Sequence, residues 1–478
     1  MGHVLVNYEP VNPTTWVYLS SLLLIALYFK FSRLWSVRNL DLIGLMLLSP
    51  GLLMVNYGHQ NHQAAIQQGG YIWLFSIGGL LVIRLLLDSL MVRRPLLEPN
   101  LSVGGLTFLG GTLFVFLMTN VLVIRPELID GNEDLPAAAA HPNPKAPGES
   151  LDFAKWGPGN PLFYRLYSGL WMHPPLFGSV KNEVPLEPLP KVEDHPPDEA
   201  PAPADNVSAA KPPDLSYHGQ ARAIAVASHF FIVLGLILIG FWHFDNIRTG
   251  IAAAVLYLLL PYTAQWTGQV THILPGALLI WAVVMYRRPI FSGLLIGIAL
   301  GTIYYPLFLL PLWISFYAQR GWRRFLLGLF VGVGAVLLQE WLMAADKAEF
   351  LVWMKPTLGL MLPAMEHLEG FWGLQFIDPV YRVTVLAACA VLTCSLALWP
   401  SRKNLGTLLS CSAVVMLSTQ FWHAHRGGLF MAWYLPLMLL TIFRPNLEDR
   451  VATIVVREGW LKKPRSEAAP AEERKKPA

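Results

Sequence analysis

The carboxylates that could act in catalysis follow one long apolar run of the sequence. Arg125, Glu127, Asp130, Glu133 and Asp134 come within ten residues of the end of that run. A carboxylate at a membrane surface can take the proton from an attacking hydroxyl group, so Asp130 and Asp134 are our candidate general bases. The alternative is that these residues are only the acidic start of a solvated loop.

A second group of reactive side chains is the segment Trp422-His423-Ala424-His425-Arg426. The side chains of His423, His425 and Arg426 could bind a phosphate through charge-assisted hydrogen bonds. Anchoring of the chain at the membrane interface is the simpler interpretation, because aromatic and polar residues are common there.

Five further residues are candidates for lining a donor or acceptor groove. His173 precedes two prolines, Gln269 and His272 flank the start of an apolar run, and Tyr304 and Tyr305 precede Pro306. The three cysteines all lie in apolar runs and form no metal-binding pattern. We therefore predict no metal site, and whether a divalent metal takes part is left open.

Composition shows what kind of element must hold these residues. The chain has 478 residues, of which 54% are hydrophobic and 14% charged, and its mean hydropathy is +0.46. Soluble domains carry about 25% charged residues, so a soluble globular enzyme is excluded. We predict an all-α polytopic membrane protein with about 13 transmembrane helices, near residues 14–30, 41–56, 71–92, 104–124, 222–241, 249–265, 271–286, 289–303, 304–318, 325–343, 380–399, 405–420 and 429–443.

The positions of Lys and Arg predict how these helices are oriented. Short loops that carry Lys and Arg stay cytoplasmic. Basic joints alternate with joints that carry almost no positive charge, at 57–70, 266–270, 344–379 and 421–428. The pattern predicts an outside N-terminus and a cytoplasmic C-terminus. We call the end of the helices with these four joints, which are poor in Lys and Arg, the predicted outer end.

Two local features refine this topology. Residues 289–318 are too long for one crossing and short for two, and Pro306 and Pro311 interrupt them. Two short, proline-broken helices that meet near Tyr304 and Tyr305 fit better, although a simple tight hairpin is the alternative. Arg84 and Asp88 lie one helical turn apart and are predicted to pair near the inner surface, while Asp41 is interpreted as structural.

The largest polar segment, residues 125–220, is predicted to be an outer loop. It holds 14 of the 31 acidic residues and 7 of the 35 basic ones. Its Pro-, Ala- and acid-rich parts should be disordered because they cannot bury enough apolar surface. Residues 152–178 are the exception, and their aromatic side chains favour the membrane interface. No strongly basic domain is present, so nucleic acid is not expected as a partner.

The stretch 104–443 resembles the GT-C superfamily of glycosyltransferases. Its first crossing is followed by the large loop, which contains His173-Pro174-Pro175-Leu176, an element similar to one in several of these families. Thr267-Gly268-Gln269-Val270 and Tyr304-Tyr305-Pro306-Leu307 look like parts of the polyprenol-phosphate-mannose-dependent mannosyltransferases. Those enzymes commonly carry a lysine before the tyrosine–proline pair, where this chain has Ile303.

The resemblance implies a chemistry and a set of roles. Members transfer a sugar, with inversion, from a polyprenyl-phosphate donor to an acceptor hydroxyl at the outer face. Asp130 or Asp134 would be the catalytic carboxylate, and Arg426, His425 and His423 would bind the donor phosphate. The resemblance also favours a bacterial inner (plasma) membrane. It implies the sugar-carrying lipid, membrane lipids and an acceptor of unknown identity as partners.

Two parts of the chain lie outside the resemblance. Residues 1–103 form three extra N-terminal transmembrane helices that have no counterpart in it, and residues 444–478 are predicted to be a cytoplasmic tail. A non-enzymatic scaffold or a transporter, whose outer loop recruits a partner, is the competing hypothesis. Transporters usually carry ionisable residues in mid-helix and two related halves, and the sequence shows few such residues and no convincing repeat.

Overall fold

A computed structural model of the chain describes residues 12–90, 98–123, 215–343, 347–360, 363, 365, 368–401 and 403–456. The regular structure of these residues is helical, apart from one isolated β-bridge between Asn404 and Val451. In chain order the α-helices are α1 (Pro13–Tyr28), α2 (Val37–Met46), α3 (Leu48–Gln60), α4 (Ala64–Leu86), α5 (Val103–Val123), α6 (Leu215–Trp242), α7 (Ile247–Leu259), α8 (Pro261–Gln265), α9 (Val270–Val284), α10 (Pro289–Thr302), α11 (Leu310–Tyr317), α12 (Trp322–Met343), α13 (Lys347–Thr357), α14 (Tyr381–Leu398), α15 (Leu405–Thr419), α16 (Leu435–Phe443) and α17 (Ala452–Val455). Short 3-10 helices cover Phe31–Arg33, Leu87–Leu90, Tyr305–Leu309, Gly370–Gly373 and Met431–Trp433.

The apolar helices identify an integral membrane protein. Six helices of the described part are long and apolar enough to cross a membrane: Val37–Gln60, Ala64–Leu86, Val103–Leu122, Ala221–Trp242, Trp322–Leu342 and Tyr381–Leu398. Six shorter apolar helices accompany them. Every apolar run of the sequence falls on a helix. The number of crossings remains a prediction, because α16 has only 9 residues and would extend about 14 Å at 1.5 Å per residue.

The core of the bundle is built from helices that are apolar on all sides. In α7 every residue from Thr249 to Leu259 is buried, and in α15 every residue from Leu405 to Thr419 is buried. An apolar helix in a bilayer can face either lipid or other helices, and these two are surrounded by other helices. The outer helices, such as α12, keep many large apolar side chains exposed, including Phe330 and Trp341.

The predicted break within residues 289–318 is confirmed. Helix α10 ends at Thr302, Ile303 is extended (φ −147°, ψ 137°), and the chain continues as the 3-10 helix Tyr305–Leu309 and then α11. Pro306 and Pro311 stand at the starts of these two elements, where a missing backbone N–H group costs least. Tyr304 and Tyr305 are thereby held at the junction of two short helices.

The helices that precede residue 103 pack into the same core as the rest of the chain. The hydroxyl group of Tyr28 in α1 donates to the carbonyl of Ala252 in α7 at 2.9 Å. The carboxylate of Asp88, just after α4, accepts from Arg444 at 2.7 Å. One boundary differs from the prediction: α6 begins at Leu215, so the end of the predicted 125–220 loop is already helical.

Candidate functional site

Four of the predicted site residues meet in one buried aromatic stack. His272 of α9 and His423 each stack on Phe430, with ring centres 4.4 and 4.5 Å apart. His423 also lies against Tyr305, 4.8 Å between ring centres, and Tyr305 stacks on Tyr304 at 4.2 Å. We call this row, together with Trp422 and Trp433 on its side, the aromatic stack.

The loop that carries His423 is closed by its own hydrogen bonds. The side-chain oxygen of Gln420 accepts from the backbone N–H groups of Gly428 and Phe430 at 3.2 and 3.3 Å. The imidazole Nδ1 of His423 accepts from the backbone N–H of His425 at 3.1 Å. These bonds tie residues 420–430 into a compact turn, so His423 and Phe430 face the same neighbours.

His423 is a neutral group in this setting. Its side chain is 2% exposed, and burial lowers the pKa of the imidazole well below its usual value, with the charges of His425 and Arg382 acting in the same direction. A neutral imidazole can still donate or accept one hydrogen bond. At pH 7 His423 therefore offers a hydrogen bond to a phosphate but no positive charge. His425 is also buried, at 8% exposed.

Arg426 already has an anionic partner. Its Nε lies 3.0 Å from Oε2 of Glu369, and the two side chains are 38% and 35% exposed. Backbone hydrogen bonds hold the pair in place, because Arg426 N–H donates to Glu369 O and Glu369 N–H donates to Ala424 O. A phosphate on Arg426 would have to share this guanidinium with a carboxylate.

Arg382 is a buried cation that the sequence reasoning missed. It lies in the first turn of α14 and is 2% exposed. Its Nε donates to the carbonyl of Trp422 at 2.6 Å, and its guanidinium carbon is 5.7 Å from the ring centre of Trp422. Ionisable residues within apolar helices are costly and tend to mark functional positions. That signal was present in the apolar run 380–399.

Glu340 is a second missed residue and a carboxylate. It lies near the end of α12, is 2% exposed, and its Oε1 accepts from the hydroxyl of Thr357 at 2.6 Å. Its Oε2 has no hydrogen-bond partner within the described part of the chain. A methyl group added to Gly359, two residues after Thr357, would be 3.4 Å from Cδ2 of Tyr304. Glu340 is thus linked to the end of the bundle that holds the aromatic stack.

The remaining predicted residues are placed differently. Asp130, Asp134 and His173 lie outside the described residues, so their positions relative to the stack stay a prediction. Gln269 is half-buried just before α9, and its backbone carbonyl accepts from the N–H groups of His272 and Ile273. Among the described residues no group of three or more His, Cys, Asp and Glu side chains could hold a metal ion.

Two cavities within the described part of the chain have the size of small ligand sites. The first, which we call the apolar groove, has a volume of about 300 Å³ and is lined by Ile224, Ala227, Ser228, Phe231, Leu274, Ala277, Leu278, Trp281 and Leu295. Phe231 on it is 45% exposed, so the groove reaches the surface of the bundle. The second, which we call the polar cavity, has a volume of about 290 Å³ and is lined by Ala64, Gln67, Gln68, Tyr71, Leu368, Glu369, Gly370, Gly373 and Arg426.

Comparison with known proteins adds no relative to this description. No protein-family model, no curated protein and no solved structure matches the chain. The described site consists of an aromatic stack with a buried arginine, a polar cavity next to the loop of that stack, and an apolar groove on the opposite face of α9.

Proposed function

We propose that the chain is an integral membrane glycosyltransferase. It would move a sugar, with inversion, from a polyprenyl-phosphate donor to an acceptor hydroxyl at the outer face. The proposal includes 13 crossings in a bacterial inner membrane, with the N-terminus outside and the C-terminus in the cytoplasm. The polarity of the joints supports that orientation.

The observation that carries the proposal is that helix α9 contributes residues to both the aromatic stack and the apolar groove. His272 belongs to the stack, and Leu274, two residues later on α9, lines the groove. A lipid phosphate needs both surfaces, because its hydrocarbon tail requires an apolar path to the bilayer and its head group requires hydrogen-bond donors. Residues two apart on a helix point to opposite sides, so His272 and Leu274 lie on different faces of α9, and a donor would have to pass around the helix to use both surfaces.

The side chains at the stack suit a phosphate leaving group. Such a group already carries charge, so it needs cations and hydrogen-bond donors more than a strong acid. Arg382 supplies the buried cation, His423 a neutral hydrogen-bond donor, and Arg426 a cation whose charge Glu369 partly offsets. The carboxylate that accepts the proton of the acceptor hydroxyl would be Asp130 or Asp134, as the family resemblance implies.

The test is mass spectrometry of the detergent-purified protein for co-purifying polyprenyl phosphate. We expect the lipid in the parent protein and in Arg320→Ala, whose exposed arginine lies between α11 and α12 away from the stack. We expect at least tenfold less lipid in Arg382→Gln and less in Arg426→Ala. Thermal unfolding of each variant controls for folding.

Two results would go against the proposal. Absence of polyprenyl phosphate in repeated parent preparations would favour a scaffold or a transporter. If the parent and both site variants are folded and carry equal amounts of lipid, the donor phosphate does not bind at the stack.

A further inference from the structure

We propose that the polar cavity binds a carbohydrate acceptor, so that helix α4 supplies one wall of the acceptor site. Gln67, Gln68 and Tyr71 line the cavity from α4, and Glu369 and Arg426 line it from the opposite side. This inference rests on the proposed function, because it assigns the cavity to the second substrate of that reaction. It also gives a role to the helices that precede residue 103.

The charges of the cavity favour a neutral ligand. Glu369 and Arg426 form an ion pair at 3.0 Å, and the other lining residues are uncharged. An anionic ligand would meet the carboxylate of Glu369, and a cationic ligand would meet the guanidinium of Arg426. A neutral ligand that both donates and accepts hydrogen bonds can use both members of the pair.

Polyhydroxylated molecules have the hydrogen-bonding groups that this lining requires. Each hydroxyl group carries one donor and two acceptor sites, a carboxylate only accepts, and a guanidinium only donates. Neighbouring hydroxyls of a sugar ring can therefore donate to Glu369 and accept from Arg426 at the same time. The amides of Gln67 and Gln68 both donate and accept, and they suit further hydroxyls of the same ring.

The size of the cavity is set by a glycine and a buried tyrosine. Gly370 has a φ of +75°, and a methyl group there would lie 2.9 Å from Cα of Arg426 and 3.1 Å from Cε1 of Tyr71. The backbone of residues 368–373 can therefore lie close to both residues only with glycine at this position. The resulting volume of about 290 Å³ is at the small end of ligand sites, about 300–1,000 Å³, and fits one sugar ring.

The cavity is connected directly to the loop that carries the aromatic stack. Trp372 Nε1 donates to the carbonyl of Phe421 at 2.8 Å, and Phe371 stacks on Phe75 of α4 with ring centres 4.0 Å apart. The hydrogen bonds between Glu369, Ala424 and Arg426 link the same two segments. A ring bound in the cavity would thus lie beside residues 421–426, next to the proposed donor phosphate.

The experiment is saturation-transfer difference NMR on the full chain in lauryldimethylamine oxide, a detergent without a sugar head group. The probes are methyl α-D-mannopyranoside, methyl α-D-glucopyranoside and N-acetylglucosamine. We expect at least one probe to bind, and its Kd to rise at least fivefold in Gln67→Ala/Gln68→Ala. Gln60→Ala is the matched control, because Gln60 is exposed at the end of α3 and does not line the cavity.

The outcomes separate this inference from the proposed function when polyprenyl phosphate is measured in the same preparations. Lipid without any sugar binding, or sugar binding unchanged in the double glutamine variant, overturns the acceptor site and leaves the transferase standing. Sugar binding lost in the double variant, without co-purifying lipid, supports a carbohydrate site and overturns the transferase. Absence of both sugar binding and co-purifying lipid overturns both the acceptor site and the transferase.

Discussion

Asp88 forms ion pairs that connect the N-terminal helices to the C-terminal part of the chain, and its substitution measures how much they stabilise the fold. Its side chain is fully buried, with Oδ2 2.7 Å from Nη2 of Arg444 and Oδ1 3.3 Å from Nη1 of Arg84. Arg84 in turn binds both carboxylate oxygens of Asp41, at 2.6 and 2.8 Å. Two arginines and two aspartates from distant parts of the sequence thus form one buried network.

The substitution Asp88→Asn removes the charge and keeps the shape of the side chain. Arg444, which is 9% exposed, would lose a buried counterion. Removing one partner of a buried pair typically costs about 3–5 kcal/mol, because the other charge is left uncompensated in a medium of low dielectric constant. Asp41 still neutralises Arg84, so we expect a loss near the lower end, about 3 kcal/mol of unfolding free energy.

The assay is reversible unfolding in detergent, followed by tryptophan fluorescence. Asp449→Asn is the matched control, because Asp449 is 67% exposed and 3.5 Å from Arg450, and exposed pairs contribute about 0–1 kcal/mol. The double variant Asp88→Asn/Arg444→Gln should lose less than the sum of its single variants. If Asp88→Asn and Asp449→Asn lost the same free energy, below about 1 kcal/mol, the network would not join the two parts.

Two further predictions concern pH and helix packing. Burial lowers the pKa of His243 to about 3 and holds that of His423 well below its usual value. As the pH falls, these histidines therefore become protonated in the unfolded chain before they do in the folded chain. The free energy of unfolding should fall below about pH 6.5, by about 1.4 kcal/mol per pH unit for each histidine. His423→Asn should reduce the slope of unfolding free energy against pH, between pH 6 and 5, by that amount in the same unfolding assay. An unchanged slope would contradict a neutral His423. In the contact between α10 and α12, a methyl group on Gly328 would overlap the carbonyl oxygen of Ile290, whereas nothing lies within 4 Å of one added to Gly334. Gly328→Ala should lower the free energy of unfolding by about 1–3 kcal/mol, whereas Gly334→Ala should be neutral or stabilising. Equal effects of the two substitutions would refute the close packing of α10 on α12.

Local features of the sequence predicted the helices well. The long apolar runs coincide with helices because a bilayer-spanning segment must satisfy its backbone hydrogen bonds internally. Pro306 and Pro311 indicated the break after Thr302, since proline lacks the N–H group that a continuous helix needs. The pairing of Arg84 with Asp88 was predicted from a spacing of four residues and is confirmed at 3.3 Å.

Contacts between distant segments could not be predicted in this way. The sequence identified Arg426 as a cation but not its partner Glu369, 57 positions away. It made His423 a candidate phosphate ligand, but it could not show that the imidazole is neutral, which follows from burial against Tyr305, Phe430 and Trp433. Arg382 and Glu340 were not singled out from the sequence, and the fold brings both to the same end as the stack.

The sequence by itself determined that this chain is a helical membrane protein, which apolar runs are helical, and where the run 289–318 breaks. Those properties depend on interactions between residues a few positions apart and on the solvent that each run prefers. The tertiary structure alone decided which polar groups meet and which of them carry charge. A pKa or an ion pair depends on every group packed around it, and in this chain those groups come from loops that lie far apart along the sequence.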